Sequence, residues 1–318
     1  MTVADPVVEL IQELKHSDPS DRAAACELMG ESGDVRAVEP LIQRLEDEDH
    51  NVRAAACRAL AALRDLRAVE PLIQRLDDED LNVRDAAHYA LEEIADDRAV
   101  EPLIRRLTYD DDDVRVMACS LLGMIGDVRA VEPLIQRLVD HDEYVRAAAC
   151  IALGWLGDVH AVEPLIKRME DWDDYVRAAA CEALGELEDV RAVEPLIQRL
   201  EDTDDGVRVV ACWALGRLGD VRAVEPLLRR LTDDDWGTRA SACSALGELG
   251  DACAVELLIE RLEDDYPTVR AAACKALGKL GDARAANAII QLTLQEKDPK
   301  VLQEAQEALQ RLLPEQEG

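Results

Sequence analysis

The sequence predicts an all-α fold, namely a right-handed α-solenoid (superhelix) of stacked antiparallel helix pairs. Three observations lead to this prediction. An aspartate recurs every 31 residues from Asp34 to Asp282, and each one opens a near-copy of the same segment. Each copy carries two apolar patterns with helical spacing, whereas strand signals are absent. A unit of this size cannot bury its own apolar face, so consecutive copies must stack on each other.

The copies divide the chain into a central array and two end segments. Eight full copies occupy residues 34–281. A divergent copy precedes them at residues 1–33, and a more polar copy follows at residues 282–318. A terminal repeat has one face in water, so we expect both end segments to act as capping repeats.

Each copy predicts two helices. In the copy that begins at Asp34, this residue can cap a first helix that ends near Leu45. Pro40 lies inside this helix and is expected to bend it. An acidic turn at 46–49 precedes the second helix, whose apolar stripe runs through 52–63.

The pattern shared by the copies, DxRAVEPLIxxLxDxDxxVRxAAAxALGxLG, resembles HEAT repeats, in particular the short HEAT-like repeats of phycobilin lyases. It is also similar to artificial HEAT-like repeat binders built from a consensus of that type. The resemblance covers nearly the whole chain and implies that the second helices line a concave surface. It indicates little about function, because HEAT arrays serve many purposes.

The cysteines follow the repeat. Equivalent positions in stacked helices are about 8–10 Å apart, beyond the roughly 7 Å between Cα atoms that a disulfide allows. We therefore expect free thiols that fill the core, and only Cys253 is out of register. So many unpaired thiols favour a reducing compartment, which together with the absence of a signal peptide predicts a cytoplasmic protein. The eight in-register residues are Cys26, Cys57, Cys119, Cys150, Cys181, Cys212, Cys243 and Cys274.

An arginine on the second helix also recurs, four residues after an acid of the preceding turn, as Arg53 follows Asp49. Such a pair can form within one copy, or the arginine can bridge to the next copy. A calcium site is the alternative for the acidic turns, and Asp202–Gly206 faintly resembles an EF-hand loop, but ligands at the required spacing are missing.

Motifs for catalysis are missing from the sequence. The five histidines are scattered over different repeat positions, and no His-Glu dipeptide occurs like those that hold the di-iron centre of deoxyhypusine hydroxylase. Neither G-x-S-x-G nor a P-loop is found. We predict no catalytic residue, no metal and no cofactor, and hence a non-enzymatic chain. A phycobilin-lyase-like role in bilin attachment stays open because that reaction has no short signature.

Differences between the copies predict a binding face. Counted from the opening Asp as position 1, variation includes positions 18, 21, 25 and 29 of the second helix. These positions lie within roughly 80° of one another around a helix. We call this surface the variable face and expect it to be exposed.

All nine Trp and Tyr residues lie on the variable face or in the turn before it, and Phe is absent. Large rings with a polar group are typical of protein interfaces, and exposed aliphatic side chains add to such a patch. We therefore predict a scaffold that binds another protein, with Trp155 and Trp213 as anchors. The predicted contact residues are Tyr89, Val116, Met124, Tyr144, Ile151, Trp155, Trp172, Tyr175, Val209, Trp213 and Trp236.

The net charge of −32 restricts the partner. Nucleic acid is disfavoured because phosphate contacts need Lys and Arg. Membranes are disfavoured because no apolar run approaches about 18 residues. We expect a monomer that binds a protein partner. An acidic DNA mimic that binds a basic protein is the remaining alternative, and it predicts strongly salt-dependent affinity.

Overall fold

The computed structural model describes residues 5–313, which form twenty α-helices and eleven three-residue 3₁₀ turns without any strand. The predicted all-α class is therefore confirmed. Every helix in this range is too short or too polar to cross a membrane. The chain divides into two compact units, one up to Leu156 and one from Gly157 onward.

The first unit contains ten helices, in which second helices carry even numbers. Each odd-numbered helix packs on the even-numbered helix that follows it, and consecutive even-numbered helices pack side by side. This arrangement is an α-solenoid. The helices are α1 Pro6–Glu13, α2 Pro19–Glu31, α3 Val38–Arg44, α4 His50–Leu63, α5 Val69–Gln74, α6 Leu81–Ile94, α7 Val100–Arg106, α8 Asp112–Ile125, α9 Val131–Arg137 and α10 Glu143–Leu156.

The second unit repeats this arrangement with ten more helices, again in consecutive pairs. They are α11 Val162–Arg168, α12 Asp174–Leu187, α13 Val193–Arg199, α14 Asp205–Leu218, α15 Val224–Arg230, α16 Trp236–Leu249, α17 Val255–Glu260, α18 Pro267–Leu280, α19 Ala286–Gln295 and α20 Pro299–Leu312.

The start of each first helix differs from the prediction. Asp34 caps a 3₁₀ turn at Val35–Ala37, where its carboxylate accepts a hydrogen bond of 2.9 Å from the Arg36 amide. The α-helix begins only at Val38. Pro40 is thus the third residue of α3, where a missing N–H group is tolerated, and the bend expected at this residue is not needed.

The second helices approach each other closely because glycine faces alanine between copies. A Cβ atom added to Gly216 would lie 2.9 Å from the Cα atom of Ala245 on the next second helix. Glu92 and Leu121 replace this glycine and alanine between α6 and α8. Accordingly, α6 and α8 are the least closely packed consecutive second helices within either unit.

The cysteine prediction is confirmed. The eight in-register cysteines are buried, Cys253 is exposed, and none of these nine residues is part of a disulfide. Burial raises the pKa of the Cys57 thiol to about 12, so this group stays protonated and unreactive near neutral pH.

The recurring arginines bridge to the next copy. Nε and Nη2 of Arg53 donate to the carboxylate of Asp78 at 2.9 and 2.7 Å, while Nη1 donates to the carbonyls of Asp47 and Glu48. The capping carboxylate of Asp49 instead accepts from the amide two residues later. Of the two arrangements open from the sequence, the inter-copy bridge is the one that forms.

One bridge is rearranged at the junction between α6 and α8. Tyr109 occupies the place of the accepting aspartate, so Arg84 pairs with Asp111 at 2.8 Å and its buried Nε lacks a hydrogen-bond partner. The Tyr109 hydroxyl accepts from Arg106, whose guanidinium lies 4.3 Å from the ring centroid. This junction therefore lacks both the close helix contact and the regular ion pair.

Candidate protein-binding face

The variable face lies on the second helices but is narrower than predicted. Position 21 is buried or half-buried in every copy of the array except at Asp85. Val116 and Val209 were expected to be exposed and are half-buried. The reason is that this position faces the next second helix, since a Cβ atom added to Gly237 would lie 3.3 Å from Cγ2 of Val209.

Trp155 in the first unit is 54% exposed and rests on the preceding second helix. A Cβ atom added to Gly123 would lie 3.1 Å from Cε3 of this indole, so the glycine provides a seat for the ring. Met124, which follows Gly123 on α8, is also exposed. Ile151 was expected to be exposed but is half-buried, because it lies one turn before Trp155 on the same side of α10.

Trp213 in the second unit is seated in the same way. It is 37% exposed, and a Cβ atom added to Gly185 would lie 2.7 Å from its Cζ3 atom. The guanidinium of Arg217 lies 5.5 Å from the ring centroid and pairs with Glu188 at 2.8 Å. The indole is thus held from two sides while its remaining surface faces solvent.

The other predicted contact residues are exposed but fall at two levels along the helices. Position 18 and the turn before it lie at the start of a second helix, roughly 10 Å from position 25 at about 1.5 Å per residue. The structure therefore separates rings at helix starts from those further along. The helix-start group is Tyr144, Trp172, Tyr175 and Trp236, and the group further along is Tyr89, Met124, Trp155 and Trp213.

Sequence reasoning missed one aromatic contact. Trp236 stacks on Tyr266 with ring centroids 5.8 Å apart and 12° between the planes. Arg239, which bridges to Asp264, lies 5.7 Å from the Tyr266 centroid. Tyr266 stands at the helix-capping position where the other copies have Asp, and this departure from the pattern was the available signal.

A groove of about 820 Å³ crosses the second helices α14, α16, α18 and α20 of the second unit. Trp213 and Arg217 lie toward one end, and Lys275 and Lys300 lie toward the other. Small side chains such as Ala240 form its floor. Position 21 supplies two of the small side chains that line this groove, Ala240 and Ala271.

The acidic turns are already occupied by the protein itself. Asp202 accepts from Arg177 at 2.7 and 2.9 Å, and Asp204 accepts from the Val207 amide at 3.0 Å. No group of three or more His, Cys, Asp or Glu side chains suited to a metal ion is found within residues 5–313. The carboxylates of this turn stabilise the array instead.

A family model described as HEAT repeats matches the chain at residues 7–92, 39–115, 100–175, 162–241 and 224–310. No curated protein sequence matches this chain.

Solved structures share the fold. Kap95p, from its complex with RanGDP, matches with a TM-score of 0.74 at 16% identity over 96% of this chain and 51% of that chain. Importin beta in an ammonium sulfate condition matches with a TM-score of 0.70 at 18% identity over 96% of this chain and 52% of that one. This chain thus spans about half the length of both. An engineered protein matches with a TM-score of 0.49 at 25% identity over 97% of this chain and 99% of its own.

Proposed function

Since the chain belongs to the HEAT-repeat family, we propose that it is a non-enzymatic scaffold that binds another protein through the aromatic side chains of its second helices. The observation that carries this proposal is the seating of Trp155 and Trp213 on glycines of the preceding helix. Kap95p, which shares the fold, binds RanGDP, and this supports a protein partner.

The seated rings suit an interface for an energetic reason. Burial of a large apolar side chain stabilises a complex by roughly 1.5–3 kcal/mol. When binding orders a mobile side chain, the loss of its conformational entropy costs about 0.5–1.5 kcal/mol of the binding free energy. The glycine contacts already restrict Trp155 and Trp213 in the unbound chain, so binding costs less side-chain entropy at these two residues.

Charge and thiol chemistry support the remaining parts of the proposal. The net charge of −32 disfavours nucleic acid and anionic membrane surfaces. Nine cysteines without a disulfide fit a reducing compartment such as the cytoplasm. We place the protein there as a monomer whose partner is another protein.

The test begins with a partner captured from native lysate and then purified. Its affinity is measured for the wild type, Trp155→Ala, Trp213→Ala and the double variant. Each single change is expected to weaken binding at least about tenfold, equivalent to roughly 1.4 kcal/mol. The melting temperature should move little because both rings are partly exposed.

Val221→Ala is the matched control, since this side chain is 70% exposed on a 3₁₀ turn away from the second helices. It should bind like the wild type. A double tryptophan variant with unchanged affinity would show that the variable face is not the binding site.

A further inference from the structure

We propose that the groove of the second unit binds an extended, acidic protein segment, with an apolar side chain on Trp213 and carboxylates on Lys275 and Lys300. This inference rests on the proposed scaffold function and specifies the chemistry of its partner.

The dimensions of the groove suit an extended segment. Consecutive packed helices lie about 8–10 Å apart, so roughly 16–30 Å separates Trp213 on α14 from the lysines on α18 and α20. A strand rises about 3.3 Å per residue, so roughly five to nine residues connect the two ends. The floor between them consists of small side chains, including Ala240, Ser241 and Ala271, which leave room for a backbone.

The charged side chains near Trp213 are already paired. Arg217, one turn after Trp213, contacts Glu188 at 2.8 Å and Glu186 at 3.4 Å. On α18, Lys279 pairs with Glu248. A partner side chain that bound these groups would have to displace an existing ion pair. The Trp213 end of the groove therefore offers mainly the exposed surface of the indole.

The other end has cations that lack a partner in the described part of the chain. Lys275 and Lys300 are exposed and form no ion pair within 4 Å. Three acidic and three basic side chains line the groove. Glu188 and Glu248 are already paired with Arg217 and Lys279, which leaves Lys275, Lys300 and Glu304 without an ion pair and hence one positive charge in excess among the unpaired groups. In a chain with 68 acidic and 36 basic residues, these two unpaired lysines offer an acidic segment a place to bind.

This distribution favours carboxylates of a protein over the other charged partners. The acidic turns elsewhere on this chain repel an acidic segment. Such a segment can therefore bind favourably only where it reaches Lys275 and Lys300, and this fixes its position in the groove. A basic segment would find Glu186, Glu188 and Glu248 already paired, and only Glu304 without an ion pair among the acidic side chains that line the groove. Nucleic acid requires a longer series of basic side chains than two lysines.

The experiment is a selection of displayed random dodecapeptides on the full chain, followed by fluorescence anisotropy with the selected peptides. We expect enrichment of Asp and Glu together with an apolar residue. Lys275→Glu with Lys300→Glu should lower the affinity at least tenfold, and Trp213→Ala should also weaken binding. Lys167→Gln with Lys297→Gln, at exposed lysines outside the groove, should leave it unchanged.

Several results would overturn the inference. They are enrichment of basic peptides, selection of no peptide at all, or selected peptides that bind the double lysine variant as well as the wild type. If the binding of the selected peptides depends on Trp213 but not on the lysines, the proposed scaffold function stands and only the acidic character of the partner is refuted. Far-ultraviolet circular dichroism of each variant verifies that the helices are intact.

Discussion

At the scale of residues, a buried arginine of one copy pairs with an aspartate of the next copy, as Arg22 does with Asp47. Burial of the Asp47 carboxyl would raise its pKa, but hydrogen bonds from Arg22 and from the Asp49 amide, together with the charges of Arg22 and Arg44, outweigh burial and lower it. Asp47 therefore stays ionised within the array. The same aspartate is the acceptor for its own copy and for the preceding one, which makes it a link between them.

Removal of one partner should be costly. Asp78→Ala leaves the guanidinium of Arg53 buried without its carboxylate, so we expect the free energy of unfolding to fall by about 3–5 kcal/mol. Urea denaturation measures this change. Asp77→Ala removes an exposed carboxylate next to it and should change stability by less than about 0.5 kcal/mol. Equal effects of the two substitutions would contradict the role of the bridge.

Glu296 makes the corresponding bridge in the last copy and predicts a pH dependence. The hydrogen bond from Arg270, at 2.6 Å, lowers the pKa of Glu296 from 4.5 to about 2. A depressed carboxyl pKa stabilises the fold at pH values above the unfolded pKa, and this contribution is lost as the pH falls through the folded pKa. The stability difference between the wild type and Glu296→Gln should thus be constant above about pH 5 and shrink toward pH 2. Urea denaturation at several pH values tests this, and a difference that stays constant down to pH 2 would refute it.

At the scale of helices, glycine sets how closely second helices pack. Alanine usually favours a helix over glycine by about 0.5–1 kcal/mol. At Gly216 the added Cβ atom would lie 2.9 Å from the Ala245 backbone, so we expect Gly216→Ala to destabilise the chain by about 1–3 kcal/mol. Gly206→Ala in the same helix meets only the Asp204 side chain and should be neutral or stabilising. Thermal unfolding of both variants compares them, and a stabilising Gly216→Ala would exclude the close-contact explanation.

The α6–α8 junction is the weakest contact between consecutive second helices within the first unit. Tyr109→Asp restores the acceptor that faces Arg84, so we expect stabilisation of about 1 kcal/mol or more through the buried donor that now finds a partner. Hydrogen exchange should slow for amides in α6 and α8. Thr108→Asp adds the same charge at an exposed neighbour and should not have this effect. Equal exchange rates in Tyr109→Asp and the wild type would mean that the unpartnered Nε of Arg84 does not weaken the junction.

For the molecule as a whole, the acidic composition is largely a property of the framework. The opening aspartate of each copy caps a 3₁₀ turn, and hydrogen bonds from Arg67 lower the pKa of Asp65, for example, to about 2. Every other copy repeats this cap, so part of the net charge of −32 serves the helix starts. An overall negative charge is thus no evidence for a DNA mimic.

Salt dependence separates the two interpretations of this charge. Binding through Trp155 and Trp213 with only a few ion pairs should weaken by less than about tenfold between roughly 50 and 200 mM salt. A DNA mimic that engages many basic side chains would lose several orders of magnitude over this range. Isothermal titration calorimetry with the purified partner gives both affinities, and a loss near a thousandfold would favour the mimic.

Much of this could be predicted from the sequence because every copy repeats the same local pattern. The helix pairs, the burial of Cys57 and its equivalents, and the exposure of Trp155 and Trp213 follow from the period and from departures from it. Position 21 could not be assigned, because Val116 and Val209 lie at the edge of the exposed arc, where a few degrees of rotation decide burial.

The sequence by itself determined that the chain folds into helix pairs that stack, since a 31-residue unit with two apolar stripes can bury them only against its neighbours. Only the tertiary structure decided that Arg53 binds Asp78 of the next copy, that Gly185 seats Trp213, and that a groove opens along the second unit. The physical reason is that these contacts join residues 25 to about 30 positions apart in different copies. Their geometry depends on the spacing between packed helices, which no local pattern encodes.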